Sequence, residues 1–254
     1  MTHLLLHVPK FNNYYKLFGR FSFINLPPVG LLGLADFLRK NGYSAKIVHL
    51  GVEKHNHGKI DLGKIIAEDE PAIVGMDLHW HFQTFDVIET AKKIKQLCPD
   101  VTIVLGGFTA SLFAEEILRT FDCIDFVVRG DAEIPLRDLI GEFHSGKAYH
   151  NVPNLAFREG GTIRTNPISY LGDQKILDSL RYTDFTLMKD YPTFVDSFSR
   201  YVHLDSLSEN LQMLLMEGRK MFPVFLGRGC VYNCSFCGGR GVHRKISITG
   251  RKST

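Results

Sequence analysis

Three cysteines fall within eight residues late in the chain, in the order Gly229-Cys230-Val231-Tyr232-Asn233-Cys234-Ser235-Phe236-Cys237-Gly238. This CxxxCxxC spacing suits a metal cluster that keeps one position open. A [4Fe-4S] cluster has four iron corners that take thiolate, so a loop supplying three sulfurs leaves one iron for a ligand from outside the protein. Gly227, Gly229, Gly238 and Gly239 let the backbone close around a bulky group, and Phe236 offers an aromatic face beside it. Zinc is the rival: Cys230, Cys234, Cys237 and His243 would make a Cys₃His tetrahedron, although the spacing follows no common zinc-finger pattern. Disulfides are disfavoured by the odd count of five cysteines and by the lack of a secretory leader pattern.

Such a loop needs a scaffold, and the preceding residues describe one. The chain has 254 residues, 44% hydrophobic and 22% charged, with a formal charge of +3, as in an ordinary globular protein of one or two domains. Its basic residues gather late, at Arg240, Arg244, Lys245, Arg251 and Lys252, which reads as a solvated tail and not as a nucleic-acid surface. No apolar run is long enough to span a bilayer. A cytoplasmic, reducing location without membrane or nucleic-acid partners is therefore expected.

Apolar runs rich in branched residues alternate with helical patterns, as they do in an α/β sheet wrapped by helices. Strands are predicted at 3–8, 44–50, 72–78, 101–105 and 124–128, with helices near 29–41, 62–68, 82–97, 110–121 and 134–143. His55 and His57 fall in a polar connection expected to face water. The fold class predicted for residues 1–146 is a doubly wound, flavodoxin- or Rossmann-like parallel sheet of about five strands. Residues 154–158 and 162–165 flank Glu159-Gly160-Gly161 as a β-hairpin, which opens a linker with helical stretches over 147–222.

In such sheets ligands collect at the carboxyl ends of the strands, where loops cluster and helix amino termini present free N–H groups. That rim is expected to gather residues 9–15, Leu78-His79-Trp80-His81, Gly106-Gly107-Phe108-Thr109 and Gly130-Asp131 around a large flat ligand. Glycine directly after strands four and five would let the ligand approach the backbone. Glu133 opens the next helix and is expected to satisfy its amino-terminal N–H groups.

Residues 27–35 (PPVGLLGLA), 104–107 (VLGG) and 127–133 (VVRGDAE) resemble, in order, hallmark segments of cobalamin-binding domains joined to radical S-adenosylmethionine (SAM) domains. The cysteine loop resembles the CxxxCxΦC signature of the radical SAM family, so the resemblance covers nearly the whole chain. It implies Cys230, Cys234 and Cys237 as ligands of a [4Fe-4S] cluster, SAM on the fourth iron and Phe236 beside the adenine. It further implies reductive cleavage of SAM to a 5′-deoxyadenosyl radical, an electron donor such as flavodoxin or ferredoxin, and a small-molecule substrate. Cobalamin would lie edgewise over the sheet against Leu78, His79, Trp80, Gly106, Gly107, Phe108, Thr109, Gly130 and Asp131, and methyl transfer, rearrangement or cyclisation would follow.

One departure is plain. Cobalamin domains that ligate cobalt through histidine carry DxHxxG after the first strand, where this chain has Pro9-Lys10-Phe11-Asn12-Asn13-Tyr14. No histidine ligand is expected from that loop, and Asp77-Leu78-His79 lacks the required glycine. Residues 223–226 would be the first strand of a radical SAM barrel, with the cysteines at its end. A complete (β/α) barrel takes about 200 residues or more, so 223–254 is expected to be only its start, in a truncated chain unable to turn over alone. The alternative is a non-catalytic corrinoid-binding or zinc-stabilised module.

Overall fold

Leu4, Leu5 and Leu6 lie on the interior strand β1 (Thr2–His7), and their side chains alternate between two apolar layers. That alternation reflects the two-residue period of a strand, and both faces are buried because helices cover each. In the computed structural model the described residues are 2–11, 27–201 and 228. The predicted barrel strand at 223–226, the cysteine loop with Phe236, and the whole of 12–26 lie outside them.

From β1 the chain passes through α1 (Val29–Lys40) to β2 (Ser44–His49), then α2 (Leu50–His57) and α3 (Leu62–Asp69) to β3 (Ile73–Asp77). Next come α4 (Thr84–Leu97), β4 (Thr102–Gly106), α5 (Phe108–Leu112), α6 (Ala114–Thr120), β5 (Phe126–Val128) and α7 (Glu133–His144). The hairpin β6 (Leu155–Glu159) and β7 (Thr162–Thr165) precedes α8 (Gln174–Ser179) and α9 (Tyr191–Tyr201). Among the described residues the sheet order is β2-β1-β3-β4-β5-β6-β7, the first five strands parallel and the hairpin antiparallel. The parallel part is a doubly wound flavodoxin-type order whose direction switches between β1 and β3.

Helix α1 and helix α7 pack Leu32, Leu38, Leu139 and Ile140 against Leu5, Val104 and Val128 on one face. On the other, α3, α4 and α6 pack Ile65, Ile94 and Leu118 against Leu4, Leu6 and Ile103. Two expectations need correcting. The stretch holding His55 and His57 is helical, because His49 caps α2 by accepting from the Gly51 and Val52 N–H groups and Gly58 ends it in the left-handed region at φ 71°. Both histidines do face outward. The hairpin, read as part of a linker, instead continues the sheet beside β5, with Phe157 opposite Phe126. Arg158 fastens it by donating to the Leu118, Phe121 and Ile124 carbonyls around the end of α6.

Asn154 joins this hairpin to the segment at 169–170. It is fully buried at φ 61°, its Oδ1 accepts from the Ser169 and Tyr170 N–H groups at 3.0 Å, and its Nδ2 donates to the Tyr170 and Asp131 carbonyls. Alanine would orphan these buried groups and strain the left-handed backbone. Asn154→Ala is expected to cost about 3–5 kcal/mol in urea unfolding, and Asn154→Gly, which tolerates the backbone, about 1 kcal/mol less.

Acid should also unfold the chain through His3. Burial, aided by nearby His144, lowers its pKa from 6.5 to about 4. The unfolded chain thus takes up a proton that the folded chain refuses. The stability involved is complete above pH 6.5 and is lost as pH falls towards 4. Thermal midpoints measured between pH 7 and 4.5 should fall, and fall less steeply in His3→Gln.

Candidate functional site

All five parallel strands end on one edge of the sheet, and a cavity of about 900 Å³ opens there. That volume is at the upper end of the range for small-molecule and cofactor sites. Its floor is apolar, from Leu5, Leu31, Gly75, Val104 and Leu136. The three segments singled out in the sequence, far apart along the chain, all reach it: Pro27 to Leu31 with Leu34, Val104 to Gly107, and Val128 with Gly130 to Glu133.

At the switch between β1 and β3 stand His7 and Asp77, each the last residue of its strand. His7 Nδ1 donates to Asp77 Oδ2 at 2.7 Å, and both residues line the cavity. Asp77 Oδ1 is buried without a hydrogen-bond partner among the described residues. His49, one strand away, has its ring 4.5 Å from that of His7. Complete burial first, and His7 second, push the His49 pKa well below its ordinary value, so it stays neutral and keeps Nδ1 free to cap α2.

An aromatic rim borders the opening. Trp80 and Phe82 are 46% and 45% exposed and their rings lie parallel, 4° apart in plane at 6.2 Å. His79 meets Trp80 edge-on at 4.9 Å. Large apolar side chains left this open beside a cavity mark a surface suited to a flat partner. Gln83 holds the rim to the residue just after β1: its side chain donates to the Val8 carbonyl and accepts from the Trp80 N–H.

Gly107 has φ 100°, and a Cβ there would come within 2.9 Å of the Leu78 carbonyl. The expectation that it clears space for a ligand is therefore revised, because it lets the loop after β3 lie against the start of α5. A Cβ at Gly106 would find nothing closer than 3.9 Å. Ser111 ties the two glycine turns together, donating to the Gly107 carbonyl and accepting from the Gly130 N–H. Of the residues predicted for the rim, His79, Trp80, Gly106, Gly107, Phe108, Gly130 and Asp131 line the cavity. Leu78 is fully buried in the core beneath, and buried Thr109 spends its hydroxyl on the His79 carbonyl.

An acidic corner closes the far side. Glu133 is 1% exposed and caps nothing, since α7 has no side-chain cap. Its Oε1 pairs with Arg228 Nη2 at 2.7 Å, while Asp131 Oδ1 pairs with Arg228 Nη1 at 3.0 Å. The other oxygens accept from the Tyr170 hydroxyl and the Gly172 N–H respectively. Tyr182 lines the same corner of the cavity, and its ring packs against α1 where a Cβ on Gly33 would come within 2.8 Å. Sequence reasoning missed His7, Asp77, Tyr182 and Arg228. Two acids two residues apart at a strand end, asking for a cation, were the available signal for the last.

Residues 24–140 match the B12 binding domain family. An uncharacterized methyltransferase of Pyrococcus horikoshii is 26% identical over 211 residues, covering 83% of this chain and 40% of the relative. The hopanoid C-3 methylase of Methylococcus capsulatus is 24% identical over 217 residues, covering 85% of this chain and 36% of the relative. The chain thus spans well under half the length of these curated relatives. The radical SAM methyltransferase TsrM of Kitasatospora setae, solved with cobalamin and a [4Fe-4S] cluster bound, shares the fold at a TM-score of 0.53 and 19% identity, over 67% of this chain and 29% of that one. OxsB, a cobalamin-dependent SAM radical enzyme solved with aqua-cobalamin and SAM, does so at 0.53 and 17%, over 67% and 22%.

The matched span supplies most of the residues that line the cavity at the strand ends. Residues 24–140 thus carry a match to the B12 binding domain, and the chain as a whole is similar to longer enzymes, a cobalamin-dependent radical SAM methyltransferase of Streptomyces tokunonensis among them.

Proposed function

We propose that this chain serves a cobalamin-dependent radical SAM enzyme, in which the cavity at the strand ends holds the corrinoid and Cys230, Cys234 and Cys237 hold a [4Fe-4S] cluster with SAM on its open iron. The observation that carries the reading is the convergence of three sequence-distant hallmark segments on one cavity. The residues present suit the group: an apolar floor, exposed parallel aromatic rings and a buried carboxylate oxygen without a partner at its edge. Bound there, a corrinoid supplies a transferable methyl group, and the cluster supplies the electron that cleaves SAM.

The chain's own residues would do the rest. Leu31, Leu34 and Val104 exclude water from one side, while Trp80 and Phe82 cover the other. His7, held through Nδ1 by Asp77, is fixed in one tautomer and orientation at the cavity edge. The methyl group would go to an unactivated carbon of a small molecule, with reducing equivalents from a flavodoxin- or ferredoxin-like donor. The loop after β1 offers no DxHxxG histidine, so the corrinoid would be held without that ligand.

Anaerobic reconstitution followed by iron and sulfide analysis, optical spectra and titration with SAM tests the cluster. About four iron per chain and a spectral response to SAM support the reading. One zinc, no iron and no response to SAM would overturn it. Cys234→Ala should abolish cluster assembly and leave hydroxocobalamin binding unchanged. Leu34→Trp, which fills the cavity, should weaken hydroxocobalamin binding about tenfold or more and leave iron content unchanged.

A further inference from the structure

Arg228 stands two residues before Cys230, and two residues of extended chain span only about 7 Å. The same guanidinium makes two ion pairs with a turn that lines the cavity, 97 positions earlier in the sequence. The geometry points to Arg228 as a positioning residue, whose double ion pair with Asp131 and Glu133 is a clip that ties the chain to the cavity rim two residues before Cys230 and so would bear on the distance between cluster and corrinoid. This inference rests on the proposed cobalamin-dependent radical SAM function.

The contact is built for direction as well as for charge. Each carboxylate gives one oxygen to Arg228 and the other to the 170–172 segment, so neither can turn away. A guanidinium presents its two terminal nitrogens in a fixed fork, which a lysine cannot reproduce. Glu133 is almost wholly buried, and removing its cation would leave that charge uncompensated. None of this is needed to close the sheet, whose layers pack without residue 228.

Two arms test it on the full chain. Without cofactors, hydrogen exchange is followed in peptides covering 222–232 for the wild type, Arg228→Gln, Arg228→Lys and Asp131→Asn. Exchange there should rise about tenfold in Arg228→Gln and Asp131→Asn, with partial recovery in Arg228→Lys and no change in β1, β3 or β4. With iron, sulfide and cob(II)alamin loaded anaerobically and the cluster reduced, pulsed EPR reads the dipolar coupling between the two paramagnets. A single narrow distance in the wild type should broaden in Arg228→Gln, at unchanged iron and corrinoid content.

Unchanged exchange together with an unchanged distance distribution overturns the clip. Should Arg228→Gln fail to fold, Asp131→Asn breaks the same contact from the rim side and decides alone. A wild type that takes up neither iron nor corrinoid refutes the proposed function, and the exchange arm then still judges the contact.

Discussion

The constraint on which the site depends is the shared direction of β1 to β5. Parallel strands must be joined by crossovers, so all their carboxyl ends, and the loops and helix starts that come after them, crowd one edge. His7, Asp77, Gly106 and Val128 arrive there because each ends a strand. The crossovers leave from that edge in opposite directions on either side of the β1–β3 switch, and the gap between them is the cavity. The apolar layers on both faces supply the rigidity that holds its walls in register.

A second constraint is electrostatic. Burying Glu133 and partly burying Asp131 on one short turn is costly unless opposite charge and donors face them, and here an arginine, a tyrosine hydroxyl and a backbone N–H share the task. The cation comes from a segment distant in sequence, so the charge requirement of the rim also places the residue next to the cysteines. A local energetic need is thereby turned into long-range geometry.

Strand and helix order was readable because branched apolar runs and helical periodicity differ plainly in this chain, and glycines mark several ends. Helix α2 escaped because its cap is a histidine, a residue that signals no helix start on its own, although Gly58 marked its end. The hairpin was visible in its turn, but its place beside β5 depends on pairing that no local pattern carries. The His7–Asp77 pair had the same cause: the two residues meet only because β1 and β3 are neighbours. Glu133 was misread because an acid at a helix start usually caps it, and Gly107 because a sequence does not show what faces a Cα.

The central claim is that the cavity at the strand ends holds the corrinoid. The most direct measurement is a crystal structure of the full chain with hydroxocobalamin bound under anaerobic conditions. The account requires the corrin ring against Gly106 to Phe108 and the Val128 to Asp131 turn, bordered by Trp80 and Phe82. A corrinoid bound elsewhere on the chain, or none at saturating hydroxocobalamin, would contradict it.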